Sequence, residues 1–135
     1  MSQFAPPPVA HRETVHRYLT VRQARQTHDL EKVLPIGEID LCTAPVLARA
    51  LEDGDRREVP IVLVDLSQIN FLALIGVQVL VEASNRAADA GRHVVLVAPT
   101  AGVQRVLGFT DVTGELEIYT SASSALSALS LTPSH

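Results

Sequence analysis

Pro60-Ile61-Val62-Leu63-Val64-Asp65, followed by the stretch from Leu74 to Ala90 and then by Val94-Val95-Leu96-Val97, decides the fold of this chain. The first and last runs are aliphatic without alternation, the pattern of strands buried on both faces of a sheet. The middle stretch has a helical period. Its polar stripe is Gln78, Glu82, Asn85, Arg86 and Asp89, and its apolar face carries Ile75, Val79, Leu80, Ala83 and Ala87. Gly91 closes it. A strand, a helix of this length and a second aliphatic strand form a βαβ crossover with parallel strands.

Toward the N-terminus, Glu52 to Glu58 is charged and reads as a solvated stretch. Before it, Thr43-Ala44-Pro45 marks a helix start, with Thr43 as cap and Pro45 in the first turn. Val46, Leu47, Ala50 and Leu51 then recur at helical spacing, and Gly54 is expected to end the helix. Tyr18–Ala24 and Leu30–Ile36 read as two antiparallel strands joined across Gln26–Asp29. Residues 1–16, with Pro6-Pro7-Pro8, read as a flexible arm, leaving 17–131 as the domain. Toward the C-terminus, Thr100 caps a short helix, Leu116–Tyr119 is a brief strand and Ser121 caps a last helix. The expected architecture is α/β: a mixed sheet in the order ββαβαβαβα with helices packed against it.

Composition narrows the function. A chain of 135 residues fits one domain. Aromatic residues make up only 4%, with no Trp, which argues against a stacking platform for nucleic acid. Net charge is −4, and residues 33–135 carry six basic against twelve acidic groups. Such a body repels phosphate backbones, so no nucleic-acid partner is expected. A single cysteine, Cys42, excludes an internal disulfide. No apolar run reaches the roughly twenty residues of a membrane span, and no signal peptide is visible. A cytoplasmic protein without a membrane partner is the expectation.

Catalytic chemistry finds little support. The phosphate-loop, dinucleotide-loop and nucleophile-elbow motifs are missing. His11, His16, His28, His93 and His135 form no helical ligand pair, so neither a metal nor any other cofactor is expected. Cys42 reads as a small residue packed under the helix that follows it. Asp65 reads as a loop cap bonding the backbone of Ser67 or Gln68. Glu38 and Asp40 precede a helix, where its dipole favours them, and no basic or nucleophilic companion accompanies them.

One segment is anomalous. Asn70-Phe71-Leu72-Ala73-Leu74-Ile75-Gly76 leads into the long helix with apolar side chains where Ser, Thr, Asp or Asn would cap. Asn70 is a cap only if the helix starts earlier than Leu74. Phe71 and Ile75 read as core. Not every side chain at 72–75 can point inward, so an exposed apolar patch, and with it a protein partner, is expected here.

Several stretches together resemble a STAS domain, the fold of bacterial anti-sigma factor antagonists. Leu34-Pro35-Ile36-Gly37-Glu38-Ile39-Asp40 with Thr43-Ala44-Pro45 resembles the family's G-E-[LI]-D…T-A-P segment. Val62-Leu63-Val64-Asp65-Leu66-Ser67 resembles its V-[VL]-D-[LF]-S strand. Gly91-Arg92-His93-Val94-Val95-Leu96-Val97 and Val103-Gln104-Arg105-Val106-Leu107 resemble its later strand and V-x-R-[VL]-L helix. The likeness runs in order over about residues 18–130. It implies a non-enzymatic regulator that binds a GHKL-type anti-sigma kinase and is switched off by phosphorylation in a D-[ST]-[ST]-G motif. The aligned residues are Ala73, Leu74, Ile75 and Gly76, so the acceptor position is Leu74, which cannot carry phosphate. The resemblance therefore implies partner binding through Glu38, Asp40, Leu72, Ala73, Leu74, Ile75, Gly76 and Gln78 without the usual switch. The alternative is a STAS scaffold subunit that joins other STAS chains; self-association as a homodimer is left open. An enzyme or small-ligand binder would need Glu38, Asp40 and Asp65 together in a closed pocket.

Overall fold

The computed structural model describes residues 11–109 and 116–130. Its elements are β1 (His11–Val15), β2 (Leu19–Arg25), β3 (Leu30–Ile39), α1 (Ala44–Arg56), β4 (Ile61–Asp65), β5 (Ile69–Leu72), α2 (Leu74–Asp89), β6 (His93–Val97), α3 (Ala101–Phe109), β7 (Glu117–Tyr119) and α4 (Ala122–Ser130). The strands form one mixed sheet in the order β1-β2-β3-β4-β6-β7, with β5 pairing beyond β4 on the end of β3. β1, β2 and β3 are antiparallel, whereas β3-β4, β4-β6, β6-β7 and β3-β5 are parallel.

The α/β architecture agrees with the sequence reading, but the element order gains two strands. His11–Val15 is not an arm: it pairs along β2, and Arg12 reaches across to Asp53 Oδ1 on α1 at 2.9 Å. Residues 1–10 and 131 lie outside the described residues. The second added strand is β5, where Asn70 sits, so Asn70 does not cap α2. The N-cap position is Ala73, and no side chain caps there.

Alternation along each central strand divides the core. Val62, Val64, Val94 and Leu96 face α1 and α2 with Leu47, Leu51, Leu80 and Ala83. Leu30, Leu63, Val95 and Val97 face the other way, toward Ala125 of α4. Burying each such aliphatic side chain contributes about 1.5–3 kcal/mol. On α2 the buried stripe is Gly76, Val77, Leu80, Ala83, Ser84 and Ala87, so Ile75 and Val79 lie at its edge, half-buried, rather than at its centre.

The charged stretch 52–58 is solvated only in part: Glu52, Arg56 and Glu58 are exposed, whereas Asp53, Asp55 and Arg57 are half-buried and paired. α1 continues through Gly54 to Arg56. Asp53 accepts from Arg12 and Arg57, and Asp55 accepts from Arg86 at 2.7 Å and Arg92 at 2.8 Å. Arg57 also donates to Glu31, which is buried on β3 and receives a second bond from Gln23. These arginines come from four different parts of the chain. Gly54 is buried against β4: a Cβ there would lie 3.4 Å from Val62 Cγ2, an ordinary contact.

Where β3 ends, a polar corner turns the chain into α1. Asp40 Oδ1 accepts the N–H groups of Cys42 (2.9 Å) and Thr43 (3.0 Å) and the Thr43 hydroxyl at 3.1 Å. Thr43 is fully buried, accepts the Asp40 N–H and is within donating distance of the Glu38 carbonyl as well. Thr43 thus ties the corner to β3 instead of capping α1, as its helix-start position suggested. The hydrogen bond from the Thr43 N–H, above all, holds the Asp40 carboxyl below its ordinary range.

Two measurements check this packing. In thermal unfolding, Gly54→Ala should stabilise the domain by about 0.5–1 kcal/mol, because a helical glycine costs conformational entropy and the added Cβ meets Val62 Cγ2 only at ordinary contact distance. Asp40→Ala should lower the melting temperature at neutral pH. A carboxyl with a depressed folded pKa contributes stability above its unfolded pKa and loses it as pH falls through the folded value. The difference between parent and Asp40→Ala should therefore shrink as pH drops below about 4; a difference independent of pH would refute the corner's electrostatic role.

Candidate functional site

The start of α2 lies against the end of β3. The Ala73 N–H donates to the Ile39 carbonyl at 2.8 Å, and the Ala73 carbonyl accepts from Gly76 and Val77. Gly76 is buried because there is no room for a side chain: a Cβ would stand 2.5 Å from Ile39 Cγ2 and 2.8 Å from Leu72 Cδ1. On the other side of β3, the Tyr18 carbonyl accepts the Glu38 N–H and closes over Gly37, whose φ is +123°. A Cβ at Gly37 would collide with that carbonyl.

Around this junction four large apolar side chains of the described residues are exposed. Leu41 is 75% exposed, Leu74 63%, Phe71 52% and Tyr18 51%. Phe71 stands beside Glu38 in the β3–β5 register, Leu74 follows the Ala73 contact to Ile39, and Leu41 opens the β3–α1 loop. The Arg17 guanidinium lies 5.3 Å from the Tyr18 ring centroid, placing a cation beside that ring.

The structure divides the sequence-derived site residues. Leu74, Glu38 and Gln78 are exposed, and Ala73 and Ile75 are half-exposed. Leu72 and Gly76 are buried and belong to the packing beneath the surface, not to the surface. Asp40 is half-buried and occupied by the corner, so it serves structure before any rim. Gln78 Nε2 lies 3.4 Å from Glu82 Oε2 along the helix.

Phe71, read as core, is an outward-facing residue. The cause is a register shift between Gly37 and Glu38: from Ile69 to Phe71 on β5 opposes a single step on β3, so Phe71 turns to the opposite side. Leu41 and Tyr18 were missed because both sit beside turns, where no period signals exposure. Cys42, read as packed under α1, is exposed. Asp65 behaves as read, accepting the Ser67 N–H at 2.9 Å.

Asp40 and Asp65 are engaged separately: Asp40 holds the β3–α1 corner, and Asp65 pairs with Lys32 at 3.4 Å. Among the described residues no three His, Cys, Asp or Glu side chains are placed to hold a metal ion, and no helix is long and apolar enough to cross a membrane.

Comparison with known proteins agrees with this architecture. An anti-sigma factor antagonist from Mycobacterium paratuberculosis superposes with a TM-score of 0.71 at 23% identity, over 93% of this chain and 97% of that one. The phosphorylated form of the Bacillus cell fate determinant SpoIIAA gives 0.62 at 11% identity, over 81% and 98%. Murine solute carrier 26 family member A9, an anion transporter, matches over 79% of this chain but 18% of its own, with a TM-score of 0.65 and 16% identity. At these identities the likeness speaks for the fold. No curated protein matches the sequence. The family profile described as "Mlab, STAS domain" matches residues 21–120, most of the chain, and the chain therefore belongs to the STAS-domain family.

Proposed function

We propose that this STAS domain is an anti-sigma factor antagonist-like regulator, acting in the cytosol by protein–protein contact on a GHKL-type anti-sigma kinase. The observation that carries the reading is Leu74, exposed at the first position of α2, where the family resemblance places a phosphorylated hydroxyl. Leucine there makes an apolar contact where the resemblance would place a charge of about −1.5 to −2. With Phe71, Leu41 and Tyr18 around it, Leu74 is the centre of a hydrophobic docking patch, and Glu38 stands on its rim. No side chain from Asn70 to Gln78 carries a hydroxyl, so this regulator works without the usual phosphoswitch in that segment. Its activity is then set by the amount of partner or antagonist rather than by kinase turnover at α2.

Leu74→Asp tests the reading. An acidic residue at a helix N-terminus is favourable, so folding and melting temperature should hold. Affinity for a candidate anti-sigma kinase of the same organism, measured by titration calorimetry, should fall by about 2 kcal/mol or more. Unchanged affinity would move the interface elsewhere. Selective loss of association with other STAS chains, with kinase binding absent in the parent, would favour a scaffold subunit instead.

A further inference from the structure

The sheet's second face carries only α4 among the described helices, and α4 packs on β6 and β7. Among the described residues a groove of about 510 Å³ lies between α4 and the first halves of β3 and β4, within the roughly 300–1,000 Å³ of small-molecule sites. Its floor is Leu30, Ile61 and Leu63, and its wall is Leu126 and Leu129 of α4. Among the described residues one cation lines it: Lys32, the only lysine in the sequence, all other basic side chains apart from histidine being arginines. The Lys32 ammonium lies 3.4 Å from Asp65 Oδ2, with the lysine side chain 36% exposed and the aspartate 10%. Asp65 is turned inward and also holds the Ser67 N–H, so the positive end of the pair points toward the groove. An ammonium has three donors, of which Asp65 takes one. At the other end the turn residues Gln26, Thr27 and Asp29 form the rim, and Asp29 disfavours an anion there. From Lys32 back to Thr27 the floor measures at most about 17 Å.

An aliphatic trough of this length with a single outward-facing ammonium at one end suits one ligand chemistry. We propose that the groove binds a single-chain fatty carboxylate of medium length, its head on Lys32 and its tail along Leu30, Leu63 and Leu126. This site lies on the face opposite α2 and does not depend on the docking patch at Leu74.

Titration calorimetry of the full chain with dodecanoate, below its micelle concentration, tests the assignment against dodecanol and dodecylamine. Dodecanoate should bind one to one, and both controls at least tenfold more weakly. Lys32→Met should lose at least tenfold, Lys32→Arg should restore most of it, and Leu126→Glu, at an exposed position, should abolish binding. Reductive methylation with labelled formaldehyde, which keeps the lysine's charge, gives one side-chain resonance for Lys32; it should shift with dodecanoate and not with dodecanol. Equal binding of dodecanoate and dodecanol, binding unaffected by Lys32→Met, or no binding at all would each overturn the proposal. Should Lys32→Met not fold, the headgroup series and Leu126→Glu decide it.

Discussion

The first turn of α2 packs directly on the end of β3 because residue 76 has no side chain, and the arrangement of the exposed apolar side chains there follows from that contact. With Ile39 and Leu72 pressed to where a Cβ would be, the helix cannot rotate or lift without opening the core. Its rotation fixes which neighbours are seen: Leu72 and Val77 go in, and Leu74 goes out. The same contact explains how α2 starts on Ala73 without a capping side chain. The junction is held by the backbone bond to Ile39 and by packing, and tertiary contacts, rather than propensity, supply most helical stability in proteins.

Long-period features were legible in the sequence. The βαβ crossover, the antiparallel pairing of β2 and β3, and the Ser121 bond to the Ser124 N–H at the start of α4 all appear as read. Each depends on a pattern repeated over many residues or on a local capping bond. What escaped was short or non-local. β5 is four residues long and carries its extra residue, Asn70, at a register shift that no alternation rule contains. At the candidate site, Leu74 was legible because it violates capping chemistry, whereas Phe71 had the ordinary look of a core aromatic. Leu72 and Gly76 lie within the same apolar run as Leu74, and only the three-dimensional contact with Ile39 separates floor from surface.

The stretch 52–58 shows the limit in another way. Its charges look solvated because their partners are remote in sequence: Arg12 is 41 residues from Asp53, and Arg92 is 37 from Asp55. Ion pairs of this kind contribute little when exposed, but Glu31 is buried, and its pairing with Arg57, with a hydrogen bond from Gln23, becomes a condition of closing α1 over the sheet. The acidic excess read from composition is thus partly internal bookkeeping rather than a surface addressed to a partner.

The strand order has a consequence for how the chain is made. In β1-β2-β3-β4-β6-β7 each strand joins the edge left by the previous one, and the sole deviation, β5, adds to the far end of β3. Among the described strands none has to be inserted between two already paired. Closing loops therefore stay short relative to chain length, which favours rapid folding. A nascent chain emerging from the ribosome N-terminus first can lay down the β1–β3 meander and then extend the sheet by one helix-linked strand at a time. Sheet growth in the direction of synthesis keeps the growing edge always at the newest strand.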